Sequence, residues 1–164
     1  MQNSYVTLRL SLTKISLKDA SLILKLVNTP KWIAFIGDRN VNTLKEAETY
    51  IQKILMSENT QYWVIKLKET EIPIGVVTLL QRDYLSNPDI GFAFLDEFIK
   101  QGYAFEAASE IVKHALITYK SVSAITLSNN IDAIKLLEKL NFRYNNEIKL
   151  ENEELLHYQI TYTN

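Results

Sequence analysis

The chain has 164 residues, 47% of them hydrophobic and 23% charged, enough for one packed core and too apolar for a disordered chain. Eighteen Lys and Arg stand against nineteen Asp and Glu, a net charge of -1, so no cationic surplus exists to neutralise a nucleic-acid backbone. There is no Cys, which excludes disulfides, thiol catalysis and thiolate metal sites together.

Tyr5 to Leu12 alternates, with Val6, Leu8, Leu10 and Leu12 on one side, and predicts a half-buried first strand. Ser16 precedes a run in which Leu17, Ala20, Ile23, Leu24 and Val27 recur at helical spacing, and Asn28-Thr29-Pro30 closes it. Lys31 to Ile36 is short and aromatic. Asn42-Thr43 then opens a second amphipathic helix through Ala47, Tyr50, Ile51, Ile54 and Leu55. These helices are expected to cover one side of a sheet.

Gln61 to Lys68 and Ile72 to Leu80 read as an antiparallel pair joined at Glu69-Thr70-Glu71, with Pro73 near the start of the second strand. Asn87-Pro88 punctuates before Asp89-Ile90-Gly91-Phe92-Ala93-Phe94-Leu95, an apolar run of strand length that belongs in the middle of a sheet. Phe105, Ala108, Ile111, Val112, Ala115, Leu116 and Tyr119 form one continuous helical stripe. Val122 to Leu127 is a strand, Ser128-Asn129-Asn130 a helix start, and Ile134, Leu137 and Leu140 the buried face of another helix. Phe142 to Leu150 and Leu155 to Tyr162 complete the chain as strands. The expected architecture is one domain over residues 1–164, a mixed α/β fold whose mostly antiparallel sheet carries a strand-helix-strand crossover and is flanked by helices. No basic leader or apolar span of roughly 20 residues is present, so no membrane association and a cytoplasmic location are expected.

The chemistry is concentrated in Asp96-Glu97-Phe98-Ile99-Lys100-Gln101-Gly102-Tyr103-Ala104-Phe105-Glu106-Ala107-Ala108, which leads from a buried strand directly into the strongest helix. The first amides of a helix have no partner inside it and lie at its positive end, a place for a phosphate or pyrophosphate. Gly102 lets an oxyanion approach the backbone, or else simply makes the tight turn. Lys100 adds a cation at the rim.

Asp89 to Ala108 resembles the core motif of the GNAT superfamily of N-acetyltransferases, and in particular its RimJ/RimL branch, which runs acidic-Ile-Gly-aromatic and then Gly-Lys-Gly-Tyr-Ala-Thr-Glu-Ala. The similarity extends to Asn130-Ile131-Asp132-Ala133, to Leu137-Glu138-Lys139-Leu140-Asn141-Phe142 and to Leu8-Arg9-Leu10 with Asp19-Ala20, so most of the chain is spanned in order. The resemblance implies acetyl-CoA as co-substrate, its pyrophosphate on the amides of Gln101, Gly102, Tyr103, Ala104 and Phe105 with Lys100 alongside. Its pantetheine arm would lie along Phe94 and Leu95, with a contact from Asn130. Ile99 and Lys100 depart from the motif, and Ala133 and Leu137 replace the Ser and Tyr that relatives can use as acids, leaving the general acid unassigned.

Acetyl transfer requires a neutral amine, whereas an alkylamine keeps its proton to about pH 10.4 and an α-amine to about 7.8. A base is therefore needed most for the former. Asp89 is the candidate base; its plain alternative is a solvated residue after Pro88. A backbone N–H near Phe92 or Ala93 would hold the oxyanion. Trp32, Phe35, Trp63 and Tyr84 are aromatic candidates for an acceptor pocket, with Trp63 better suited to the core. His114 and His157 have no neighbouring ligands in sequence, so no metal is expected. With no Cys and no evident Ser-His pairing, transfer would be direct, to the N-terminal amine of a peptide or to a small-molecule amine. The competing class is a non-catalytic acyl-CoA- or peptide-binding module of the same fold, and a third is a homodimeric structural partner joined through an exposed last strand.

Overall fold

The computed structural model describes residues 1–162 and contains eight strands and five α-helices. In chain order these are β1 (Ser4–Val6), β2 (Leu10–Lys14), α1 (Ala20–Val27), α2 (Pro30–Phe35), α3 (Leu44–Met56), β3 (Thr60–Leu67), β4 (Pro73–Leu80), β5 (Asp89–Phe94), α4 (Tyr103–Tyr119), β6 (Ser121–Leu127), α5 (Ile131–Lys139), β7 (Arg143–Lys149) and β8 (Glu154–Thr161). All strands join one sheet in the order β1-β2-β3-β4-β5-β6-β8-β7. Every pair is antiparallel except β5 and β6, which the α4 crossover connects in parallel.

The alternation of side chains along β3 and β4 divides the apolar residues between two layers. Trp63, Ile65, Ile74 and Val77 pack with Ala108, Ile111 and Ala115 of α4 and Leu137 of α5. Val64 and Val76 pack with Ile23, Leu26, Trp32, Ala47 and Ile51 of α1, α2 and α3. The early helices thus cover one face and the late helices the other, and central β4 is buried on both sides. Thr43 starts α3 with a capping box: its hydroxyl accepts from the Glu46 amide while the Glu46 carboxylate accepts from the Thr43 amide.

Two expectations change and one is extended. The first strand is a hairpin, because the chain reverses at Thr7, whose amide bonds the Leu10 carbonyl; Val6 and Leu8 lie exposed while Leu10 and Leu12 are core. Asn28-Thr29-Pro30 does close α1, which ends at Val27 with Asn28 as C-cap, and Pro30 also occupies the first turn of α2, with Thr29 as N-cap, where its missing N–H costs nothing. The last strand is not an edge: β8 pairs with β6 on one side and β7 on the other, so the exposed edge belongs to β7. This removes the sequence argument for a dimer through the last strand.

Candidate active site

Between β5 and α4 the chain turns through two left-handed residues, Lys100 (φ 59°) and Gly102 (φ 82°). Glycine adopts this conformation freely, whereas Lys100, standing where the resembling branch has Gly, is strained there. Among the described residues, no carbonyl or side chain accepts from the amides of Gln101, Gly102, Tyr103, Ala104 or Phe105; the first paired amide is that of Glu106, bonded to the Gly102 carbonyl at 3.1 Å. Five free donors therefore lie at or just before the positive end of a 17-residue helix. A Cβ on Gly102 would lie 3.3 Å from Nη2 of Arg9, so a side chain here would crowd the guanidinium as well as strain the left-handed backbone. The donor set suits a diphosphate.

Arg9 was not legible as part of this loop, since nothing local in sequence links the first hairpin to α4. Its guanidinium donates to the Gln101 carbonyl (3.0 Å) and to Glu106 (2.7 Å) and stacks over the Tyr103 ring at 4.4 Å. The Nζ of Lys139 lies over the Phe105 ring at 4.4 Å. Lys100 is exposed, and its charge helps hold the Asp132 carboxyl on α5 below its ordinary range, after the hydrogen bond and charge of Lys31.

The β5–β6 pair holds together at one position only, Asp89 opposite Ser123, with the Ser123 amide on the Pro88 carbonyl at 2.9 Å. Beyond that rung the strands splay. The Leu95 amide bonds the Ile74 carbonyl of β4, so Ala93 and Gly91, two and four residues back, turn the same way. Phe92 and Phe94 consequently direct their main-chain groups into the splay. Leu95 does not: its amide faces β4 and its side chain is buried with α1. Leu95, expected beside Phe94 at the opening, therefore does not face it, and of the two candidate oxyanion donors Phe92 faces the opening while Ala93 does not.

Asp89 is not a solvated residue. It is 2% exposed, with Oδ2 accepting from Nε of Arg82 at 2.8 Å and Oδ1 from the Ile125 amide at 3.1 Å. Burial pushes its carboxyl up to about 6, against the pull of Arg82 and the Ile125 amide. Tyr84 is exposed and lies near Arg82, which places it beside this group. Trp32 is 3% exposed and packed into the core under α1 and α3, which corrects its assignment to a pocket wall; its Nε1 has no acceptor among the described residues. Phe35 is half-buried at the end of α2. Asn130 is the N-cap of α5, its Oδ1 accepting from the Ala133 amide at 3.4 Å, which leaves its amide nitrogen free to donate.

The sequence hid a Ser-His pair. His157 on β8 contacts Ser123 Oγ through Nε2 at 3.0 Å and Asn146 Oδ1 through Nδ1 at 2.9 Å, and burial lowers its basicity. Val122 and Ala124 face α4, so Ser123 between them points to the other side, buried to 1% at the rung and away from the Phe92 amide. His114 is structural, bonded to Glu110 at 2.9 Å and stacked on Tyr5. Among the described residues, no three His, Asp or Glu side chains gather as metal ligands, and no helix is long and apolar enough to cross a membrane.

Residues 9–143 match the family model described as an acetyltransferase (GNAT) domain. No curated protein matches the chain. Among solved structures it is similar to a GNAT-family acetyltransferase from Bacillus anthracis, with a TM-score of 0.82 and 19% identity over 96% of this chain and 98% of that one. It also resembles the ribosomal-protein-S5-alanine acetyltransferase of Vibrio fischeri, with a TM-score of 0.80 and 16% identity over 98% and 97% of the two chains. A third likeness is to the spermidine N-acetyltransferase of Vibrio cholerae in complex with CoA and spermine, with a TM-score of 0.79 and 15% identity over 94% and 96%. At these identities the structures speak for the fold, and the family model, spanning most of the chain, for the kinship. The protein belongs to the GNAT acetyltransferases, which take an acetyl group from acetyl-CoA to an amine.

Proposed function

We propose that this enzyme acetylates an α-amine, the N-terminal amine of a peptide being the acceptor class its site serves best, by direct transfer within the β5–β6 splay. The observation that carries the reading is the set of unpaired amides from Gln101 to Phe105 opening beside strands that part after a single rung. Those amides, with Lys100 at the rim, would hold the diphosphate of acetyl-CoA, and the main-chain groups of Phe92 and Phe94 its amide-bearing arm. Acetyl-CoA supplies the acyl group as a reactive thioester.

The chain's own contribution is placement, charge and proton acceptance. The Phe92 N–H faces the opening and donates to the oxygen on which negative charge develops. Asp89, at the apex of the splay, accepts the acceptor's proton directly or through water. With its carboxyl near 6, Asp89 lies about two pK units below an α-amine and more than four below an alkylamine, so the proton leaves an α-amine far more readily. Ser123 lies at the rung rather than beside Phe92, which supports direct transfer over an acyl-serine intermediate.

Release of CoA thiol measured against peptides with free N-termini, N-blocked lysine peptides and polyamines tests this. Turnover is expected to favour free N-termini by at least tenfold at neutral pH. Equal or greater turnover of polyamines would overturn the acceptor assignment. No effect of CoA on the thermal unfolding midpoint would overturn the cradle.

A further inference from the structure

We propose that Asp89 creates the splay: its carboxylate takes the Ile125 N–H away from the main chain of β5 and so ends the parallel ladder after one rung. The Ser123 amide bonds the Pro88 carbonyl, and in a regular parallel ladder the next β6 donor, Ile125, bonds the Ile90 carbonyl two residues on. It bonds Asp89 Oδ1 instead, at 3.1 Å, and the pairing of β5 with β6 stops there. A charged acceptor makes a stronger hydrogen bond than a peptide carbonyl, and more so where water is excluded. Arg82 donates to Oδ2 at 2.8 Å and thereby aims Oδ1 at Ile125. The Ile90 carbonyl, freed of its strand partner, is an acceptor at the apex where the Phe92 amide is a donor. Asp89 is in this sense a positioning residue for the cleft, in addition to any proton it accepts. That the cleft admits acetyl-CoA rests on the proposed function; that Asp89 opens it does not.

Two variants of the full chain separate the roles. D89N leaves one acceptor oxygen for two donors, Arg82 Nε and the Ile125 amide, whereas D89A removes the competing acceptor altogether and leaves Arg82, which is partly exposed, to water. Scalar couplings across hydrogen bonds, read by NMR without CoA, identify the acceptor of the Ile125 amide. In wild type it is expected to be the side chain of residue 89, and in D89A the Ile90 carbonyl. CoA affinity by calorimetry should fall at least tenfold in D89A, and in D89N should stay within threefold of wild type if the couplings show the side chain keeping the Ile125 bond and fall at least tenfold if Ile90 takes it. A D89A chain in which Ile125 gains no bond to Ile90, or one that binds CoA as wild type does, overturns the proposal. If D89A does not fold, loss of CoA affinity in a folded D89N with its Ile125 bond retained overturns it equally. Wild-type protein that does not bind CoA would instead sink the cofactor assignment, while the coupling measurement still decides what opens the strands.

Discussion

Arg9 and Glu106, ninety-seven positions apart, join the first hairpin to the first turn of α4 through a charged hydrogen bond of 2.7 Å. The same carboxylate accepts from the Arg9 amide at 2.8 Å and from the Thr7 hydroxyl at 2.6 Å, so one side chain ties the hairpin turn to the helix. Burial alone would raise the Glu106 carboxyl, but the bonds from Thr7 and Arg9 outweigh it and hold it below the usual range. Hydrogen bonds to a charged group contribute about 1.5–3 kcal/mol each when not fully exposed. E106Q is expected to lower stability by about 2 kcal/mol in urea unfolding and to weaken CoA binding, since Arg9 would no longer be held against the Gln101 carbonyl.

G102D should abolish the CoA-induced rise in unfolding temperature by setting a carboxylate among the donors meant for a diphosphate. The left-handed backbone and the nearness of Arg9 Nη2 mean that the variant is also less stable, by about 1–2 kcal/mol. G102A carries the strain without the charge. It should retain part of the CoA response, and equal loss in both variants would show that space rather than charge is decisive.

Asp89 titrates at 3.8 in its ordinary state and near 6 in the fold. The native state therefore holds the proton more tightly than the unfolded chain, and stability declines as pH rises through this window, by about 2–3 kcal/mol. The difference between wild type and D89N in urea midpoint, measured from pH 4 to pH 7, should carry this slope. The charged and titratable groups facing the carboxylate are Arg82, with Tyr84 behind it, and His157 through Ser123. A slope unchanged by D89N would mean that those groups, not Asp89, titrate there.

On β4, a Cβ at Gly75 would come within 2.4 Å of the Ala93 carbonyl and 2.7 Å of the Phe94 ring. Backbone cannot retreat as a flexible side chain can, so G75A should push β4 from β5, costing at least about 2 kcal/mol and loosening the strand that lines the cleft. A G75A protein with wild-type unfolding would contradict the close approach of these strands.

Because the Trp32 indole N–H has no acceptor among the described residues, W32F forfeits volume but no hydrogen bond. Its cost should stay below about 1.5 kcal/mol, whereas W32A should cost about 3–5 kcal/mol. A larger effect of W32F on the KM for the acceptor than on stability would return this residue to the pocket.

The sequence made the helices and interior strands legible because their periodicities were long: the stripe from Phe105 to Tyr119 and the run from Asp89 to Leu95 left little choice of element. The helix start with its unpaired amides was equally visible, a strand leading into a helix across a glycine. What it hid was relational. The exposure of Val6 and Leu8 depends on a reversal at Thr7 that carries no Gly or Pro signal. The partnership of Arg9 with Glu106 and of Ser123 with His157 depends on distant strands meeting, and Asp89 reads as a surface carboxylate until Arg82 and Ile125 are seen to enclose it. Trp32 looked like a pocket wall because a six-residue helix has no periodicity from which to infer its buried side.

The placement of β8 between β6 and β7 makes the tail of the polypeptide a keystone. Clipping the chain before Glu154 would not trim a fringe: it would leave β6 bare and set β7 adrift, with nothing else in the sheet to grip it.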